Sequence, residues 1–259
     1  MIKHLSILFL VIILSSCNSE QGGFNVFSAE EDAQLGKRFN EQLEASDEFI
    51  ILSEGDYPEA YKHLRKITNS ILKSTKIQHR DDFLWELKII ENDSVLNAFC
   101  TPGGYIYVFT GLIKYLDSED QLAGVLGHEI AHADLRHSTA QLTKNYGIRI
   151  ILNLVLGNSS FLGNAAGNLL GLTFSRNDET EADMKSVAYL MDTEYDPRGV
   201  AHFFQKIESS ESLGMLQFLS THPNPENRVE KIYEEWKMLG SKQGKEFKEE
   251  YKVLKRSLP

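Results

Sequence analysis

The sequence predicts a mainly helical α+β domain in which a small three-stranded sheet flanks one central helix. Three observations carry this. Apolar residues recur at helical spacing, most clearly at Leu122, Val125, Leu126, Ile130 and Leu135. Three short strand-like runs lie together between residues 83 and 110, separated by turn residues. No internal repeat is evident, and 259 residues suit one domain with a sizeable core.

In chain order, Lys3 and an apolar run from Leu5 to Leu14 read as a secretory signal, too short to span a bilayer comfortably. Leu14-Ser15-Ser16-Cys17 resembles the bacterial lipobox. Residues 1–16 are therefore expected to be a lipoprotein signal peptide and Cys17 the lipid attachment site, with a plain signal peptide as the alternative. Several acyl chains on one residue anchor durably, at about 0.8 kcal/mol per buried CH₂. Position 18 is Asn rather than Asp, which by analogy with enterobacterial sorting leans toward the outer membrane. Residues 17–27 then read as a lipidated tether, residues 28–239 as the folded domain and residues 240–259 as a Lys/Glu-rich tail.

Ser28-Ala29-Glu30-Glu31 is a capping box that opens a helix running to about Ala45, and Tyr61 to Ser74 has helical periodicity. Phe83–Ile90, Ser94–Cys100 and Tyr105–Thr110 read as strands, with turns at Glu91-Asn92-Asp93 and Pro102-Gly103-Gly104. Ser118-Glu119-Asp120-Gln121 reads as a second capping box, opening the central helix. Gly124 and Gly127 weaken that helix by about 1 kcal/mol each relative to Ala, and they allow close backbone approach. Gly147 to Phe174 is apolar but punctuated by Gly and Asn. It is too interrupted for a confident membrane span and reads first as a helical lid. A further helix is expected from about Asn177 to Met191.

The central helix carries the chemistry. Residues four apart share a helix face, so His128 and His132 can reach one metal ion, with Glu129 a fraction of a turn away. This is the HExxH pattern of zinc metallopeptidases, in which the Glu is the general base. Zinc needs a third protein ligand and an open position for catalysis. His137 does not fit the extended zincin spacing and reads as a surface or helix-terminal histidine. Glu179 and Asp183 lie one turn apart on the later helix. One carboxylate can bind the metal while the other accepts the free N–H of a ligating histidine. Glu181 falls on another face and is expected to be solvated.

Four blocks make the likeness specific. They are Asn97-Ala98-Phe99 with Pro102 to Tyr107, Gly127 to His132, Ser175-Arg176 through Glu179 to Asp183, and Thr221-His222-Pro223 ending at Arg228. In this order the chain resembles the HtpX and CAAX-prenyl-protease class of zinc metallopeptidases, above all its periplasmic lipoprotein members of the LoiP and BepA kind. The resemblance implies a zincin-like (gluzincin) fold. It also implies one Zn²⁺ per chain on His128, His132 and Glu179, with Glu129 as base and Asp183 behind a histidine. His222 would approach the metal, either stabilising the oxyanion or closing the site as a fourth ligand, and Arg228 would sit nearby as the second choice of donor. Asn97 and Ala98 resemble the edge segment that hydrogen-bonds a substrate backbone; the alternative is an ordinary sheet edge. BepA-like members carry a helical repeat domain after the protease domain, whereas residues 240–259 show no repeat. The expected match is therefore to a single-domain protease.

A net charge of −10 without a basic run argues against nucleic acid and against polybasic membrane docking. Cys17 and Cys100 are the only cysteines, so acylation of Cys17 leaves no disulfide, and Cys100 reads as a buried packing residue. The expected function is zinc-dependent endopeptidase activity in the bacterial cell envelope, on unfolded or misfolded envelope proteins, with the membrane reached through the lipid anchor. The rival expectation is a periplasmic chaperone or adaptor lipoprotein whose zinc site is self-inhibited.

Overall fold

The capping box at Ser28 forms as expected: Glu31 N–H donates to Ser28 Oγ at 3.2 Å and Ser28 N–H to Glu31 Oε2 at 2.7 Å. It opens α1 (Ala29–Glu44). The computed structural model describes residues 24–147, 169–209 and 215–259. The signal peptide, Cys17 and residues 148–168 of the expected lid lie outside the described residues. The end of the expected tether is not loose. Asn25 Nδ2 donates to Thr139 Oγ1 at 2.8 Å, Val26 N–H to Thr143 Oγ1 at 3.3 Å, and Phe27 is buried.

After α2 (Pro58–Leu72) come β1 (Glu86–Ile90), β2 (Ala98–Thr101) and β3 (Tyr105–Phe109), in the order β1-β3-β2. β1 runs parallel to β3, and β2 antiparallel. The strands are shorter than expected, for local reasons. Trp85 sits at φ +52°, which ends the extended run before Glu86. Ser94 bonds back to Asn92 Oδ1 through its backbone and its hydroxyl, so residues 92–95 turn rather than extend. The β2–β3 connection requires Gly103 and Gly104, at φ +77° and +85°. β3 is buried along its whole length, with Ile106 and Val108 in the main core and Tyr105, Tyr107 and Phe109 in a smaller core under α1.

The helices follow as α3 (Thr110–Tyr115), α4 (Glu119–Asp134), α5 (His137–Tyr146), α6 (Arg176–Leu190), α7 (Gly199–Glu208), α8 (Met215–Thr221), α9 (Arg228–Met238) and α10 (Lys248–Arg256). α4 is central and buried on every face from Leu122 to Asp134, not on one stripe. The capping box expected at Ser118 does not form; Gln121 Oε1 instead accepts from Asp117 N–H at 2.9 Å. At α6 a box forms between Ser175 and Asp178.

α7 crosses α4 at backbone contact. A Cβ on Gly124 would lie 2.1 Å from Val200 N, and one on Gly199 would lie 1.9 Å from Asp120 O. Beside them Ser186 Oγ donates to Gly124 O at 2.8 Å, drawing α6 against α4. Gly124→Ala is therefore expected to destabilise the protein by about 1–3 kcal/mol through overpacking, despite its helix-propensity gain of about 1 kcal/mol. Urea unfolding checks this, and an unchanged or raised midpoint would contradict the close crossing.

Beyond residue 239 the chain returns to the domain. Residues 240–259 are not a detached tail, because α10 lays Tyr251 and Leu254, both fully buried, into the main core. Tyr251 OH donates to Ile113 O at 2.8 Å. The charged residues are the exposed face of an amphipathic helix. Among the described residues, no helix is long and apolar enough to cross a membrane.

Candidate metal centre

The α4–α6 crossing brings Glu179 and Asp183 against His128 and His132, and all four are buried. His128 Nε2 lies 3.0 Å from His132 Nε2 and 3.4 Å from Glu179 Oε2, and His132 Nε2 lies 3.3 Å from Glu179 Oε1. A fourth donor joins from the end of α8: His222 Nδ1 is 3.3 Å from His128 Nε2 and 3.0 Å from Glu179 Oε1. Bonds of about 2.0–2.1 Å to a tetrahedral zinc give edges of about 3.3 Å between ligand atoms. The observed edges of 3.0–3.4 Å fit that figure. Imidazole nitrogens and a carboxylate converging away from water are poorly satisfied without a cation between them. The four residues can thus hold a metal ion.

The surroundings hold these side chains in place. Asp183 Oδ1 lies 2.9 Å from His128 Nδ1, the nitrogen turned away from the cluster. Arg228, the first residue of α9, donates through Nε to Asp183 Oδ2 at 2.6 Å and through Nη2 to Glu179 Oε2 at 3.0 Å. Its guanidinium carbon sits 3.7 Å over the Phe204 ring. Arg228 therefore stands behind the cluster rather than across the cleft. Burial lowers the affinity of His128 for a proton, but the hydrogen bonds and charges of Asp183 and Glu179 outweigh it and raise its pKa to about 9. His132 is pushed well below the usual range, first by burial. Burial raises the Glu179 carboxyl, yet the three histidines overcome it and hold the group ionised.

Glu129 is fully buried, and its Oε1 has no hydrogen-bond partner. His222 Nε2 lies 3.5 Å from that oxygen. Burial raises the Glu129 pKa, against the pull of His222 and His128, and the Cys100 backbone N–H bonds to its carboxylate. The pairing with β3 fixes how β2 faces the cleft. Phe109 N–H donates to Asn97 O at 3.1 Å, so the odd-numbered residues of this segment pair with β3 and the even ones turn to the free edge. Asn97 lies just before β2, lines the cleft and accepts Ala98 N–H on its side chain at 3.0 Å. The Ala98 side chain points into the main core, so only its backbone is available to the cleft.

The cleft is closed in this arrangement. Phe174 stacks on His132 with ring centroids 4.0 Å apart, and its N–H donates to Thr221 O at 3.3 Å. His222 stacks on Phe218 at 4.7 Å. What remains beside Glu129 is a cavity of about 40 Å³. That is room for a water molecule or two but not for a peptide.

Two residues outside the expected set belong to the cluster. His137 is not at the surface but buried, with Nδ1 2.9 Å from His132 Nδ1. Glu181 is half-buried rather than solvated, and its Oε2 lies 3.4 Å from His137 Nε2. Spacing could not reveal His137. Five residues beyond His132 is another face on a continuous helix, and the two meet only because Arg136, at φ +59°, breaks the chain between α4 and α5.

Residues 58–236 match peptidase family M48. Among curated proteins the chain is similar to the mitochondrial metalloendopeptidase OMA1 of Arabidopsis thaliana, 36% identical over 153 residues that cover 58% of this chain and 31% of that protein. The OMA1 of Schizosaccharomyces pombe is 36% identical over 161 residues, covering 60% and 47%. The β-barrel assembly-enhancing protease of Escherichia coli is 32% identical over 157 residues, covering 54% and 32%. The aligned part thus spans about a third to a half of these relatives' length.

Proposed function

The chain belongs to peptidase family M48, and on that footing we propose that it is a zinc-dependent metalloendopeptidase of the bacterial cell envelope. The observation that carries this is the near-tetrahedral set of His128, His132, Glu179 and His222 with the unpaired Glu129 oxygen beside it. When bound there, zinc supplies Lewis acidity, lowering the pKa of a water toward 7 and polarising the scissile carbonyl.

The chain's own residues do the rest. Substrate lies along the free edge of β2, where the outward carbonyls of Ala98 and Cys100 accept from an added strand and Asn97 flanks it. Glu129 takes the proton of the attacking water as the C–O bond forms, then delivers it to the amine nitrogen as the C–N bond breaks. His222, displaced from the ligand set by substrate, donates through Nε2 to the developing oxyanion. Arg228 turns Nε and Nη2 to Asp183 and Glu179 from behind the cluster, with only Nη1 unpartnered, so we assign it to holding the ligands rather than to the oxyanion.

Lys3, the apolar run and Cys17 support lipid anchoring, and Asn18 supports the outer membrane facing the periplasm. The name of the Escherichia coli relative ties that protein to β-barrel assembly, which supports misfolded envelope proteins as substrates and a role in their quality control. A second reading has its own observation: His222 fills the fourth corner and the cleft is closed. This supports a self-inhibited site, and with it the chaperone or adaptor alternative.

Cleavage of unfolded casein, with bound zinc quantified, tests both readings. The wild-type chain is expected to carry about one zinc and to cleave, with activity lost to a chelator and restored by zinc. Cleavage that survives removal of all metal would end the zinc proposal. His222→Ala separates the two readings: cleavage rises if the histidine is an inhibitory ligand and falls if it serves the oxyanion.

A further inference from the structure

The two ligating histidines are held differently. His128 turns its outer nitrogen to a carboxylate that is itself held by Arg228. His132 turns its outer nitrogen to another histidine. His132 Nδ1 lies 2.9 Å from His137 Nδ1, and His137 Nε2 lies 3.4 Å from Glu181 Oε2. His132 and His137 are both buried, so no bulk water competes for that contact.

We propose that His137 is a positioning residue for the metal centre, fixing the tautomer and orientation of His132 through a His132–His137–Glu181 relay. This rests on the reading that His132 binds zinc through Nε2. Neutral imidazole carries one proton. With Nε2 on the metal, that proton sits on His132 Nδ1, which donates to His137 Nδ1. His137 Nδ1 is then an acceptor, so its own proton sits on Nε2, which donates toward the Glu181 carboxylate. Each hydrogen bond leaves one tautomer for each ring. The Glu181 charge polarises the chain and makes His132 a better donor to the metal. The packing supports the same geometry. Phe174 stacks on the face of His132 at 4.0 Å, so the ring is held on its face by an aromatic side chain and at its edge by the relay. The Arg136 turn at φ +59° aims His137 back at α4.

The full chain is titrated with zinc against a chromogenic chelator, in wild type, His137→Ala, His137→Asn and Glu181→Gln. His137→Ala is expected to weaken zinc binding about 10–100-fold. His137→Asn restores most of this, because its amide oxygen can accept the His132 proton where Nδ1 did. Glu181→Gln falls between wild type and His137→Ala. Nitrogen NMR of the zinc-loaded wild type needs no variant; it is expected to show His137 protonated at Nε2 and not at Nδ1. Equal zinc affinity in wild type and His137→Ala, or a proton on His137 Nδ1, overturns the inference alone. A weakened His137→Ala that His137→Asn does not rescue reduces His137 to packing and also overturns it. Wild type that binds no zinc overturns the ligand reading itself, and the inference with it.

Discussion

Glu129→Gln is expected to lower kcat by about 10²–10⁴-fold, the usual contribution of general-base catalysis. Bound zinc should stay near one per chain, because Glu129 is not among the four converging donors. The amide keeps the size of the carboxylate and its bond from the Cys100 backbone, so the fold should be undisturbed. What it loses is the ability to take a proton. Single-turnover cleavage of casein with parallel zinc analysis checks this. Full activity in Glu129→Gln would remove Glu129 from the chemistry, and loss of zinc would make it a ligand. The effect on KM is expected to be small, since the cost falls in the transition state.

Arg228→Met carries the largest expected effect on stability. Arg228 faces Glu179 and Asp183 inside the protein, and removing one partner of a buried ion pair typically costs about 3–5 kcal/mol. Met fills much of the volume and keeps contact with Phe204, so the loss reports charge rather than packing. The cost should be smaller in zinc-loaded protein, where the metal itself offsets the charge of Glu179. Urea unfolding with and without zinc measures the difference. A cost below about 1 kcal/mol in the metal-free protein would show that the carboxylates do not depend on Arg228.

What could be read from the sequence was whatever depends on short-range periodicity. The helical face of His128 and His132 follows from a spacing of four, as does the pairing of Glu179 with Asp183. The mainly helical fold with its small sheet follows from alternating runs between turn residues. What could not be read depends on irregular backbone or distant partners. The left-handed turn at Arg136 brings in His137, and the one at Trp85 shortens β1. α10 was hidden because only Tyr251 and Leu254 mark its buried face among many charges. At Ser118 the local signal was sound but was overridden. Glu119 is drawn into the core toward Lys66, 3.2 Å away, and Gln121 caps one residue earlier.

The docking of Asn25 on Thr139 sets a leash length. Eight residue steps separate Cys17 from Asn25, a contour of at most roughly 30 Å. For a chain anchored at Cys17, the catalytic body would hug the bilayer at less than its own diameter. It would then patrol a thin layer over the lipid surface. Polypeptides that emerge from or stall at that surface would be encountered, while those free in the surrounding fluid would pass out of range.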